Sequence, residues 1–242
     1  MMLSKNEVKY IQSLYHKKQR QQEGLFIAEG PKLVNELLTS DFTINTIYAT
    51  EQWQANNSAK QVEIITITEQ ELARISNLQS PNQVLAIVKQ QVANTAANFS
   101  NGLSLVLDGI QDPGNLGTII RIADWFGITQ IICSLDTVEL YNPKVIQSTM
   151  GSFLRTKLWY QDLATTLTTA QVPVFGALLA GKSIYQIQKP TAGILVIGSE
   201  GNGISNDLLP FISHPVTIPR IGGAESLNAA VATGIIVSHL IV

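Results

Sequence analysis

The chain is poor in charge and nearly devoid of cysteine, and both shortages restrict what it can be. Asp, Glu, Lys and Arg make up 14% of its 242 residues, against roughly 25% in ordinary soluble domains. So thin a charged surface calls for cover, which points to a homo-oligomer that buries a large apolar face. The formal net charge of −2 gives no global field to draw the chain onto a polyanion. The single cysteine, Cys133, excludes an intramolecular disulfide and fits a reducing compartment. Placed after Ile131 and Ile132, it reads as a small buried strand residue rather than a nucleophile. The N-terminus lacks the apolar run of a signal peptide, and the apolar run Ala229–Val242 is too short to span a bilayer. A cytoplasmic location with no membrane partner is expected. Internal repeats and low-complexity tracts are also missing.

What is present is locally uneven. Residues 1–20 hold Lys5, Lys9, Lys17, Lys18 and Arg20 against the lone acid Glu7. Apolar Val8, Ile11, Leu14 and Tyr15 recur there at helical spacing, which predicts one helix over Asn6–Gln21 with a basic face. Short apolar runs then alternate with helical patterns: a strand at "LFIAEG", a helix opened by Pro31, a strand at "INTIYAT", a helix around Glu51, a strand at "VEIITI", a helix capped by Thr68 and Glu71, and a strand at "VLAIVK". The polar stretch "QQVANTAANFSNG" has no apolar period and reads as a linker. We therefore expect domains at 1–92 and 103–242, joined by a linker at 93–102. In the second half, near-continuous apolar strands separated by helices predict a buried, mostly parallel sheet.

Three loops at strand ends carry the chemistry, since ligands in open α/β sheets bind beyond the carboxyl ends of strands. They are "LDGIQDPGNLGTIIRIADWFG" (107–127), "VIGSEGNGIS" (196–205) and "IPRIGGAESLN" (218–228). The glycines Gly198, Gly201 and Gly203 have the wrong order for a dinucleotide fingerprint, and the sheet's first strand lacks that motif. A nucleotide-dependent oxidoreductase is thereby disfavoured. Asn115 stands near the start of a helix expected from about Leu116 to Trp125, either as its cap or as a functional amide. Arg121 lies within that helix, on a solvated face or in a site. Ser226 caps the last helix or serves the site.

The three segments resemble the signature motifs of the SpoU (TrmH) family of RNA ribose 2′-O-methyltransferases, in the SPOUT superfamily. "NLGTIIRIADWFG" is similar to the first, "IGSEGNGIS" to the second and "IP....ESLNAAVA" to the third. "NPKVIQSTMGS" resembles the segment between the first two, and "KKQRQQEGLFIAEGPKLVNELL" the family's N-terminal substrate-binding domain. The resemblance spans nearly the whole chain. It implies an α/β protein: a C-terminal, mostly parallel-sheet domain with a trefoil knot, preceded by a small α/β RNA-binding domain resembling kink-turn-binding ribosomal proteins. It implies S-adenosylmethionine as cofactor, no metal, and a homodimer through the knotted domain. Carried over residue by residue, Gly198, Ile218 and Leu227 would contact the cofactor, with Leu178 as a further wall.

The same resemblance assigns the attack on the methyl group to a site of Arg121, Asn115, Glu200, Ser226 and Asn228. None of His16, His214 and His239 lies in a signature motif, so no ordinary base is on offer. A guanidinium is a poor base at its usual pKa. Arg121, reaching across the dimer, is therefore read as binding phosphate and stabilising the developing alkoxide, accepting the proton only if the site lowers its pKa. Glu200 either orients this machinery or pairs with Arg121. Lys17, Lys18 and Arg20 would meet RNA phosphates. The family's pattern is broken at Ile122, Thr149 and Arg220, the last standing where many relatives carry Met. Large-subunit ribosomal RNA is the expected substrate, with transfer RNA, or a catalytically idle assembly factor, as the alternatives.

Overall fold

The computed structural model describes residues 3–57, 62–93 and 95–241. The chain divides into two compact units, one comprising the chain up to Gln91 with Tyr141–Leu154, the other Val92–Leu140 with the chain from Arg155 on. The segment 141–154, read from sequence as part of the second half, packs in the first unit.

The first unit runs α1 (Lys5–Ser13), α2 (Lys17–Glu23), β1 (Leu25–Glu29), α3 (Pro31–Leu38), β2 (Ile44–Ala49), α4 (Glu51–Asn56), β3 (Glu63–Thr66), α5 (Glu69–Ile75) and β4 (Val84–Lys89). Its sheet order is β1-β4-β2-β3, with β4 antiparallel to both neighbours and β3 parallel to β2. Ser4 with Glu7 and Thr68 with Glu71 form complete capping boxes. The single helix expected over Asn6–Gln21 is two. Leu14 is fully buried and His16 adopts an extended backbone, while the Tyr15 hydroxyl donates to Glu29 Oε1 (2.9 Å) and lies 2.9 Å from the Ile75 carbonyl. Alternation along β1 sends Leu25 and Ile27 into one core with Ile11, Leu14, Leu72 and Ile75. Phe26 points the other way, against Phe42, Tyr141 and Phe153. The last two come from the 141–154 segment, whose helix packs on β1.

The remaining elements are β5 (Gly102–Asp108), α6 (Pro113–Trp125), β6 (Gln130–Cys133), α7 (Pro143–Thr149), β7 (Lys157–Tyr160), α8 (Leu163–Thr168), β8 (Val174–Ser183), β9 (Ala192–Gly198), β10 (His214–Thr217) and α9 (Ala229–Ile241). All but α7 belong to the second unit. Six strands in the order β10-β8-β9-β5-β6-β7 are parallel throughout. Val106, Ile132, Ile194 and Val196 bury one face against Leu163, Leu167 and Leu208, while Leu105, Leu107, Leu195 and Ile197 are buried on the other. From β5 the chain builds outward through β6 and β7, then returns to the far side of β5. The reversal between β5 and β9 is a topological switch point, and the loops after β5, β8, β9 and β10 share its carboxyl edge.

Candidate active site

The first residue of the site is positioned by a cap. Asp112 is the N-cap of α6 and its Oδ1 accepts the Asn115 N–H at 2.8 Å, with Pro113 at the first helical position. Asn115 is thus inside the helix and is not its cap, as the sequence left open. Its side chain is free to point elsewhere, and Nδ2 donates to Glu200 Oε1 at 2.9 Å, 85 residues away.

Glu200 sits in a loop that closes on itself. Ser199 and Gly203 exchange backbone hydrogen bonds of 3.1 and 2.9 Å, forming an isolated bridge just beyond β9. A Cβ at Gly198 would overlap the backbone of Gly203 and Ile204. The glycine is therefore required by the chain's own close approach, a different reason from room for a ligand. Asp108, at the end of β5, fixes the far side of the loop by accepting the Ser205 N–H at 2.7 Å.

Asn228 completes the arrangement. Its Oδ1 accepts from Ala230 and Val231 N–H at 3.0 and 3.2 Å, capping α9. The capping role offered to Ser226 belongs instead to Asn228, because Ser226 lies two positions too early. With Oδ1 committed to the helix, Nδ2 must point away, and it donates to Asn115 Oδ1 at 2.8 Å and Glu200 Oε1 at 2.6 Å. The Ala229 N–H adds a further contact to Glu200 Oε1 at 3.3 Å. One carboxylate oxygen thus gathers three donors at the N-terminus of a 13-residue helix, where the dipole favours negative charge.

Arg121 does not join this cluster. It lies six residues beyond Asn115 on α6, about 9 Å along the helix and about 120° round it. It is exposed and makes no hydrogen bond or ion pair with the described residues. The pairing of Glu200 with Arg121 offered by the sequence is absent, since Glu200 is held by the two asparagines. Ser226 is likewise exposed, without a side-chain partner among the described residues.

The loop after β10 is exposed from Pro219 to Asn228. Among the described residues, no backbone N–H from Arg220 to Leu227 has a hydrogen-bond partner. Arg220 does not reach outward but donates Nη1 to the Ala224 carbonyl at 3.1 Å, bracing the loop. Ile218 is half-buried and Leu227 is exposed. On β8, the pairing with β10 jumps from Gly176 to Lys182, leaving the half-buried Leu178 in a segment that β10 does not pair.

Elsewhere, Lys17 and Lys18 are exposed on α2, but Arg20 is 2% exposed. Its Nη1 donates to the Leu14 carbonyl at 3.0 Å, so it braces the break between α1 and α2 and is not available to phosphate. Burial pushes the Cys133 thiol far up, which leaves it inert. No group of three or more metal-ligating side chains occurs among the described residues. Sequence reasoning missed Asp108 and Asp112. The Asp-Pro pair ahead of the helix was the available signal for Asp112, whereas nothing local marks Asp108.

Residues 102–238 match the family model described as the SpoU rRNA methylase family, and residues 5–86 match an MRM3-like substrate-binding domain. The chain is 30% identical, over 98% of its own length and 97% of the relative's, to the 23S rRNA guanosine 2′-O-methyltransferase RlmP of Bacillus subtilis. Among solved structures, a TrmH-family protein from Porphyromonas gingivalis superposes with a TM-score of 0.89 at 36% identity, covering 99% of this chain and 98% of that one. An S-adenosylmethionine-bound rRNA methyltransferase from Sinorhizobium meliloti gives 0.88 at 30% identity, covering 99% and 95%.

Proposed function

The chain belongs to the SpoU rRNA methylase family, and we propose that it methylates a ribose 2′-hydroxyl of 23S ribosomal RNA in the cytoplasm, as a homodimer. The cofactor is S-adenosylmethionine, the one used by this family and bound in its structural neighbours. The observation that carries the reading is the cluster of Asn115, Glu200 and Asn228, one residue from each signature segment, joined by hydrogen bonds of 2.6 to 2.9 Å.

The residues at the sheet edge fit the cofactor. The run of unpartnered backbone N–H groups after β10 offers donors to a polar ligand. Half-buried Leu178 and Ile218, with Leu227, offer apolar walls for an adenine, and Gly198 ends β9 at the same sheet edge. When bound, S-adenosylmethionine supplies a methyl group on a sulfonium, an electrophile that needs no activation by the protein.

The chain's own work is to place the hydroxyl and manage its charge. Asn115, Glu200 and Asn228 form a pre-ordered polar wall whose donors and acceptors are already assigned, so they orient ribose without rearranging. Ser226 adds a hydroxyl to the same loop. Arg121 binds the phosphate and stabilises the developing alkoxide, and each copy's Arg121 serves the site of the other copy. Its position a third of a turn away from Asn115 supports that assignment. Exposed Trp125, Val231 and Ile241 on α6 and α9 supply the apolar face for the dimer, and the thin charge of the chain supports the same arrangement. Lys17 and Lys18 contact RNA phosphate. The trefoil knot belongs to the same reading.

The test is a map of 2′-O-methyl groups on ribosomal and transfer RNA from a strain lacking the gene. One methyl group should vanish from 23S RNA and return on complementation. Loss from a transfer RNA alone would overturn the substrate, and no loss from any RNA would overturn the activity.

A further inference from the structure

Asp124 lies three residues beyond Arg121 on α6, the spacing at which a carboxylate and a guanidinium on one helix face meet, with Cβ atoms about 5–6 Å apart. It does not take Arg121. Arg155, which is distant in sequence, grips it instead: Nε stands 3.0 Å from both Oδ1 and Oδ2, and Nη2 2.8 Å from Oδ2. The Asp124 side chain is 21% exposed and that of Arg155 51%. This forked geometry fixes the carboxylate more firmly than a flexible surface pair on a helix does.

Asp124 is the acid best placed to disable Arg121. Unpaired, it would compete with RNA phosphate for the guanidinium and would present negative charge to a polyanion at the contact point. The geometry points to Arg155 as a positioning residue: by neutralising Asp124 it keeps Arg121 unpaired and available to the substrate. This rests on the assignment of Arg121 given above.

The experiment uses the purified full chain, unmethylated 23S RNA transcribed in vitro and radiolabelled S-adenosylmethionine. Arg155→Ala should lower kcat/KM for RNA by about threefold to tenfold, the effect of one uncompensated charge about 6 Å away in partial solvent. Its affinity for S-adenosylmethionine should be unchanged, and raising the salt should narrow the deficit. Asp124→Asn alone should stay within about twofold of the unmodified protein. Decisively, adding Asp124→Asn to Arg155→Ala should restore activity, because the offending charge is gone. A double variant as impaired as Arg155→Ala would overturn the inference and make Arg155 a direct RNA contact. Asp124→Asn as damaging as Arg155→Ala would overturn it in favour of a purely structural fastening. Arg155→Ala with full activity would also overturn it. Arg121→Ala, run alongside, separates the two readings: if it turns over normally, the assignment of Arg121 fails and takes this inference with it. If it is inactive and rescue is absent, only this inference fails.

Discussion

The side-chain nitrogen of Asn228 stands 2.6 Å from Oε1 of Glu200, joining the loop after β9 to the start of α9. The contact is directional because the other end of the same amide caps α9 through Ala230 and Val231. Turning the amide over would break the cap and set an oxygen against a carboxylate. The helix therefore dictates which atom faces the site, and Glu200 is held without a positively charged partner among the described residues.

Removing that carboxylate should cost catalysis far more than stability. Glu200→Ala leaves the amides of half-buried Asn115 and exposed Asn228 for water to satisfy, so unfolding free energy should fall by no more than about 1–1.5 kcal/mol. Methyl transfer should fall by about 100-fold or more, the scale for deleting a pre-ordered polar group in an active site. Glu200→Gln, which keeps an acceptor oxygen, should lie between. Single-turnover rates on 23S RNA beside thermal unfolding check this, and an activity loss matched by global unfolding would contradict it.

Gly198 and Gly201 should respond oppositely to alanine. A methyl at 198 collides with the backbone of Gly203 and Ile204, which cannot yield without opening the Ser199–Gly203 bridge, whereas at 201 it meets nothing within 4 Å. Gly198→Ala should destabilise by about 1–3 kcal/mol or more and weaken S-adenosylmethionine binding at least tenfold. Gly201→Ala should leave both within error. Calorimetry on the two variants decides it, and equal behaviour would show that the loop is softer than its packing implies.

Strand and helix positions were legible in the sequence because apolar period and caps are local: Pro31–Leu38 and the Thr68 cap lie where those signals put them. The membership of Asn115, Glu200 and Asn228 in one cluster was legible only through resemblance, since their separations of 85 and 28 residues leave no local trace. Arg20 was misread for a physical reason. Three neighbouring bases look alike in sequence, and only the packing of α2 after the break at His16 puts the face carrying Arg20 inward. The self-closure over Gly198 and the packing of 141–154 were illegible for a related reason, as both depend on what arrives from elsewhere in the chain.

The basic segment therefore divides into a structural residue and two exposed ones. Arg20→Ala should lower the stability of the first unit by about 1.5–3 kcal/mol, the range for losing a buried hydrogen bond made by a charged group. Lys17→Ala with Lys18→Ala should leave stability unchanged within about 0.5 kcal/mol. The lysine pair should instead weaken RNA binding, lowering its salt slope by about 0.7 to 0.9 for each phosphate no longer neutralised. Urea unfolding and RNA titration over a range of salt separate the two. An unchanged salt slope in the double lysine variant would make α2 a merely solvated face.

Segment 141–154 enters the first unit as a finished piece of its core. Tyr141 packs on Phe26 with ring centroids 4.6 Å apart, and its hydroxyl both accepts from the Gln91 N–H and donates to the Gln91 carbonyl, each at 2.8 Å. Phe153 stacks edge-on against Phe26 and Phe42 at 5.9 and 5.5 Å. Between them Gly151 lies under the Glu36 carboxylate at φ +92°, a backbone conformation that would strain any side chain placed there. A fragment ending at Gln91 lacks all of this and leaves Phe26, fully buried in the whole chain, facing water. It should therefore unfold without a sharp transition, while addition of a peptide covering 141–154 should restore cooperativity. In the full chain, Tyr141→Phe keeps the ring and loses both hydrogen bonds, which should cost about 1–3 kcal/mol. Burial raises the Tyr141 hydroxyl to about 12, above the roughly 10 of an unfolded tyrosine. A raised folded pKa means that its contribution is complete below pH ~10 and is lost as pH climbs towards 12. The stability gap between Tyr141→Phe and the unmodified chain should accordingly be constant from pH 6 to 9 and shrink between about 10 and 12. A fragment of residues 1–91 that melts cooperatively on its own would refute the core role of the segment, and a gap independent of pH up to 12 would refute the buried hydroxyl.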